Sequence, residues 1–216
     1  MSLIEQIRER PLILWTVCAV AALAVLGVVW GGWALWKTRY EAQGSMALTQ
    51  ARALAAQSQA PGASAETRQR AEKALQDTIT EYPRLSSIGQ AAYLLGSLRF
   101  ANGQYASARS AFELARDKAG SPTLAALAAL DVGYCWEGEK NYGAAEKAYQ
   151  AAISGSSPKS FLYEEAMLDI ARAQDLGGKR AAAIETYQRL LKDLPESRRA
   201  EEFRSRMASL QSPAKP

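Results

Sequence analysis

The sequence predicts an all-α chain in which a single N-terminal transmembrane helix is followed by a solenoid of helical hairpins. Three observations predict it. From Leu12 to Trp36 no residue carries a charge, and at 1.5 Å per residue that run makes a helix of roughly 37 Å, longer than the ~30 Å hydrocarbon layer. Beyond it, Tyr105, Ala108, Phe112 and Ala115 fall three or four residues apart and share one helical face. The pattern returns at Tyr142, Ala145, Tyr149 and Ala152, again at Ala183, Tyr187 and Leu190, and has a weaker earlier copy at Ala71, Leu75 and Thr78. Such regular spacing marks an array whose units bury their apolar faces against one another. Finally, only 8 Pro and 15 Gly in 216 residues rich in Ala, Gln, Glu, Arg and Leu favour helix over sheet.

Residues 1–11 read as a short polar tail, with Arg8 and Arg10 offset by Glu5 and Glu9, and Pro11 suits the first turn of a helix. Residues 12–36 form the expected anchor in the lipid bilayer. Trp15 sits near one end and Trp30, Trp33 and Trp36 near the other, where indoles prefer the headgroup boundary. A cleaved signal peptide has an apolar region of about 7–15 residues and a small-residue cleavage site, whereas this run is longer and ends in tryptophans. A lipoprotein needs small residues before its cysteine, yet Thr16 and Val17 precede Cys18. A buried core helix would need protein on every side. Arg8 and Arg10 nearly balance Lys37, Arg39 and Arg52, so basic residues alone do not orient the span. Gly27 and Gly31 form one Gly-x-x-x-Gly spacing that either admits a second membrane helix or is simply tolerated in lipid.

The helical-hairpin domain is expected over 37–211. Its first, atypical hairpin spans about 40–82, broken by Pro61-Gly62 and stopped by Pro83. Three fuller hairpins follow at about 87–118, 124–154 and 161–194, with turn signals at Gly120-Ser121-Pro122, Gly155 to Pro158 and Pro195. A helix over 196–210 should cap the open end through Phe203, Met207 and Leu210, and 212–216 reads as a disordered tail.

Several functions are excluded by composition. The chain has no histidine, which removes His-based acid–base catalysis, His-dependent triads and His-ligated metal or haem. Cys18 and Cys135 are too few for a disulfide framework or a Cys-rich metal site. The net charge of +4 is dispersed rather than clustered, so nucleic-acid binding is not expected. Glu164-Glu165 and Glu201-Glu202 are sequence neighbours that diverge by about 100° on a helix and should face solvent. With no phosphate loop, nucleophile elbow or metal-ligand spacing, neither an enzyme, a cofactor nor a small-molecule substrate is expected.

The hairpins resemble tetratricopeptide repeats. Leu95-Gly96 and Val132-Gly133 stand at the Leu-Gly step of that repeat, with Ile170-Ala171 as a looser third. Ala108, Ala145 and Ala183 match its small residue, Phe112, Tyr149 and Tyr187 its aromatic, and Pro83 and Pro195 its terminal proline. The repeat's Trp is replaced by Ala92, Ala129 and Met167. The whole arrangement, a short tail, one membrane helix ending in Gly-Trp-Ala-Leu-Trp-Lys-Thr-Arg-Tyr, an Ala-rich helix and degenerate repeats, resembles the bacterial YfgM-like family. That resemblance implies an ancillary subunit of the SecYEG translocon, single-pass in the inner membrane, with a cytoplasmic N-terminus and periplasmic repeats. Its implied partners are translocon subunits, exported chains and periplasmic chaperones. An assembly factor or accessory subunit of another inner-membrane complex is the alternative.

Stacked hairpins present their first helices on one concave surface, where partners bind as extended or helical segments. Hairpin register places Gln90, Tyr93 and Ser97, then Leu127, Leu130 and Tyr134, then Glu165, Leu168 and Arg172 on that groove. Its character should be apolar and aromatic, although the three leucines could equally be core between repeats.

Overall fold

The computed structural model describes residues 11–212, with side chains from Trp15 onward. The N-terminal tail before Pro11 and the tail after Ser212 lie outside the described residues. All described secondary structure is helical, and two compact units divide after Gly44.

The first unit lies within α1 (Pro11–Ser58). Its apolar segment has no residue buried, and Trp15, Val28 and Trp30 are each at least 70% exposed. None of the described residues of this unit covers it, so water is the wrong solvent for its surface. It is a helix long and apolar enough to cross a membrane. At its C-terminal edge Trp36 stacks on Tyr40 at 5.3 Å, and the Lys37 ammonium stands 5.3 Å from the Trp33 ring. A β-carbon added to Gly27 or Gly31 would meet nothing within 4 Å among the described residues beyond the helix's own backbone.

The second unit begins with the last turns of α1 and continues through α2 (Ala65–Glu81), α3 (Ile88–Ala101), α4 (Tyr105–Asp117), α5 (Pro122–Gly138), α6 (Tyr142–Ala152), α7 (Tyr163–Leu176), α8 (Arg180–Asp193) and α9 (Ala200–Gln211). From α2 onward each helix packs chiefly on those before and after it, with α3 also touching α5. That is the connectivity of a solenoid. Ser64 and Ser121 begin α2 and α5 by accepting the Thr67 and Leu124 N–H groups at 3.1 and 3.2 Å.

The paired helices approach closely because one of each pair carries almost no side chain at the crossing. A β-carbon on Gly96 would stand 2.7 Å from the Phe112 ring, and one on Gly133 would stand 2.2 Å from the Tyr149 ring. Both rings are buried. The hairpin turns repeat too: Gly103, Lys140 and Gly178 all hold positive φ, at 73°, 60° and 75°. After each, the next N–H reaches back five residues to a carbonyl, at 2.9, 2.8 and 2.7 Å for Gln104, Asn141 and Lys179. Glycine adopts that conformation freely, but Lys140 holds it against its own β-carbon.

The capping helix begins at Ala200, later than the sequence pattern suggests. Ser197 Oγ accepts the Arg199 N–H at 3.0 Å, and the Ala200 N–H bonds the Ser197 carbonyl at 3.1 Å, so residues after Pro195 turn before the helix starts. Phe203 is then fully buried, with Met207 and Leu210 packed beside it.

Candidate protein-interaction face

The first helices of successive hairpins lie side by side, and polar pairs stitch their common face. Tyr93 on α3 donates to Asp131 on α5. One repeat on, the Tyr134 hydroxyl of α5 donates to Asp169 on α7 at 2.6 Å. Arg172 on α7 bonds Glu137 on α5 through two nitrogens, at 2.9 and 3.0 Å, and lies 2.7 Å from Asp169. Tyr149 of α6 donates to the same Glu137 at 2.8 Å. Finally Arg199, just before α9, pairs with Glu165 on α7 at 3.0 Å and with Glu202 at 2.9 Å.

Burial sets the electrostatics. It pushes the Asp131 carboxyl up to about 6, and the Tyr93 hydroxyl lowers it only in part. Asp169 is fully buried and also shifted upward by desolvation, against the pull of Tyr134 and Arg172. At Arg172 burial opposes the charge, but Glu137 and Asp169 overcome it, so the guanidinium is held more firmly than usual. Cys135 is buried beneath this face and its thiol is pushed up to about 12, first by desolvation and then by Asp131, which leaves it inert.

The nine residues expected on the groove therefore divide. Gln90 and Glu165 are exposed, and Tyr93, Ser97, Leu127, Tyr134 and Arg172 are half-buried. Leu130 and Leu168 are only 5% and 6% exposed and belong to the core shared by α5, α7 and α9, so most of each side chain is withdrawn from a partner, with an edge of Leu168 lining one small depression. A stripe at helical spacing does not reveal which of its edges a neighbouring helix covers. The face is also less apolar than its leucines suggest, because Asp131, Asp169 and Glu137, absent from the expected set, lie on or just under it. The acidic pairs are not simply solvated either: Glu164 accepts from Ser197 at 2.9 Å, and Glu165 and Glu202 share Arg199. Those carboxylates lie in or near the first turns of α7 and α9, where the helix dipole favours them.

Two depressions open on this face. One of about 370 Å³ is lined by Arg52, Ala55 and Ala56 of α1 and Gln59 just after it, by Gln90, Tyr93 and Leu94 of α3, and by Leu124 of α5. The other, of about 120 Å³, lies between α7 and α9 and holds Glu165, Leu168, Arg172, Arg199 and Arg206. Among the described residues, no group of His, Cys, Asp and Glu converges as a metal site.

No curated protein matches the chain in sequence. Among solved structures, the apo form of RapI is similar in fold, at 13% identity and a TM-score of 0.50 over 68% of this chain. The chain spans only 42% of RapI's length, and the likeness is one of fold alone. The tetratricopeptide repeat-like domain family matches residues 14–212, from within the apolar segment of α1 to the end of α9. With hairpins built on small-residue and aromatic pairs, and with that match running through nearly its whole length, the chain belongs to the tetratricopeptide repeat-like family.

Proposed function

We propose that the chain is a membrane-anchored protein-interaction scaffold of the YfgM-like kind, an ancillary subunit of the Sec translocon that assists periplasmic handling of exported proteins. The observation that carries the proposal is the extent of the family match, which includes both the apolar helix and the repeats. Joining the two in one protein makes sense where partners emerge at a membrane, because anchoring raises the effective concentration of the binding face without a new contact. On this reading residues 12–36 span a bacterial inner membrane, the N-terminus is cytoplasmic, and the repeats are periplasmic.

The test is crosslinking in intact membranes from photoreactive groups at Gln90, Leu127 and Glu165, followed by mild detergent extraction and mass spectrometry. Recovery of channel subunits together with diverse exported precursors is expected. Recovery of one stoichiometric complex lacking both would replace this reading with a dedicated assembly subunit.

A further inference from the structure

The polar side chains of the first-helix face are not evenly spent. At the α7–α9 end, Arg172 and Arg199 are each engaged with two or more carboxylates. At the other end, Arg52 is exposed on α1 and, among the described residues, bonds the neutral Gln90 amide. Among the described residues, no carboxylate lies within ion-pair distance of it. Around it the depression is otherwise apolar or uncharged: Ala55, Ala56, Leu94 and Leu124 form its walls and floor, with the Tyr93 ring and the amides of Gln59 and Gln90. Asp131, the carboxylate that Tyr93 of this depression contacts, is already held by that hydroxyl.

From this we infer that the depression between α1, α3 and α5 receives a short apolar protein segment carrying one carboxylate, its apolar side chains lying on Leu94, Leu124 and Tyr93 and its carboxylate meeting Arg52. The volume suits a few side chains rather than a folded domain. Charge complementarity selects the occupant. A segment with a basic residue at that point would face Arg52 without relief, and a purely apolar one would leave the guanidinium facing uncharged surface. The amide of Gln90 holds the Arg52 side chain in place, so less rotamer freedom is lost on binding.

The inference deepens the scaffold reading and rests on it. Its test uses the full chain in detergent micelles and three fluorescein-labelled peptides, each a short leucine–alanine sequence with a single central aspartate, asparagine or lysine. Fluorescence anisotropy should rank aspartate above asparagine above lysine, with about a tenfold span between the extremes at low salt that narrows as salt is added. Arg52→Glu should invert the order, and Leu94→Asp should weaken all three peptides, with thermal melts confirming that both variants stay folded. Equal affinities, or an order that survives Arg52→Glu, would overturn the inference. In parallel, crosslinking from Gln90 in membranes separates the two levels. Partner capture that persists while the peptides show no charge order sinks only this inference, whereas loss of capture from every position on the face sinks the scaffold reading beneath it.

Discussion

At the scale of single residues, Asp131 is a carboxyl that burial holds against its ordinary ionisation. Its carboxyl is pushed up to about 6 by burial, well above the ~3.9 of an unfolded aspartate. Between those values the folded chain holds a proton that the unfolded chain has released. The stability linked to that proton is therefore full below about pH 3.9 and is lost as pH rises through 6. Glu146 and Glu202 run the other way. At Glu146 burial works upward, but the hydrogen bonds from Lys179 and Gln174 hold the carboxyl lower, and at Glu202 Arg199 is the main cause of a lowered value. The comparison must be with a variant that changes Asp131 alone. Asp131→Asn keeps an acceptor for Tyr93 and removes the titration, so its stability relative to the parent should rise between pH 4 and 6.5, by up to roughly 2 kcal/mol. Urea unfolding at four pH values across that range checks it, and parallel profiles would show that Asp131 ionises normally.

At the scale of the helix pair, the spacing is set by a missing side chain. A β-carbon on Gly133 would lie 2.2 Å from a Tyr149 ring that is itself buried and anchored through its hydroxyl to Glu137. The ring has no free direction in which to yield. Gly133→Ala should therefore cost about 1–3 kcal/mol despite the better helix propensity of alanine, because overpacking outweighs the ~1 kcal/mol gained. Thermal denaturation measures the loss. An unchanged or raised Tm would mean that α5 and α6 can part without penalty. The last hairpin, α7 with α8, carries Ala171 at the matching position, with buried Tyr187 as its aromatic, so the same crossing is made there with one more carbon and need not share its geometry.

At the scale of the whole chain, the exposed apolar segment of α1 and the repeat unit make opposite demands on solvent. Full-length protein should stay in the pellet when membranes are washed at alkaline pH, whereas a chain starting at Ser45 should be recovered in the supernatant. Release of the full-length chain by that wash would argue against a spanning helix.

The all-α class, the apolar helix and the repeat were legible because each is a local property: charge-free length, period and turn chemistry are written along one strand of sequence. Gly96 and Gly133 were legible only as the Leu-Gly step of the repeat, with Ala108, Ala145 and Ala183 as its small residues; that the glycines lie against the Phe112 and Tyr149 rings is a fact of the packing between helices. What faces a partner was not local. Leu130 and Tyr134 sit one turn apart on α5, yet one is sealed in the core while the other reaches α7. The choice depends on how far each neighbouring helix is rotated and displaced, which no single helix encodes. Likewise the pairings of Tyr93 with Asp131, Tyr134 with Asp169 and Arg172 with Glu137 join residues from different repeats. The sequence by itself determined the architecture of this protein, because periodicity and apolar length act within each segment. Only the tertiary structure decided which charges are spent and that Arg52 has no carboxylate within ion-pair distance among the described residues, because ion pairing depends on distances between segments that are far apart in the chain.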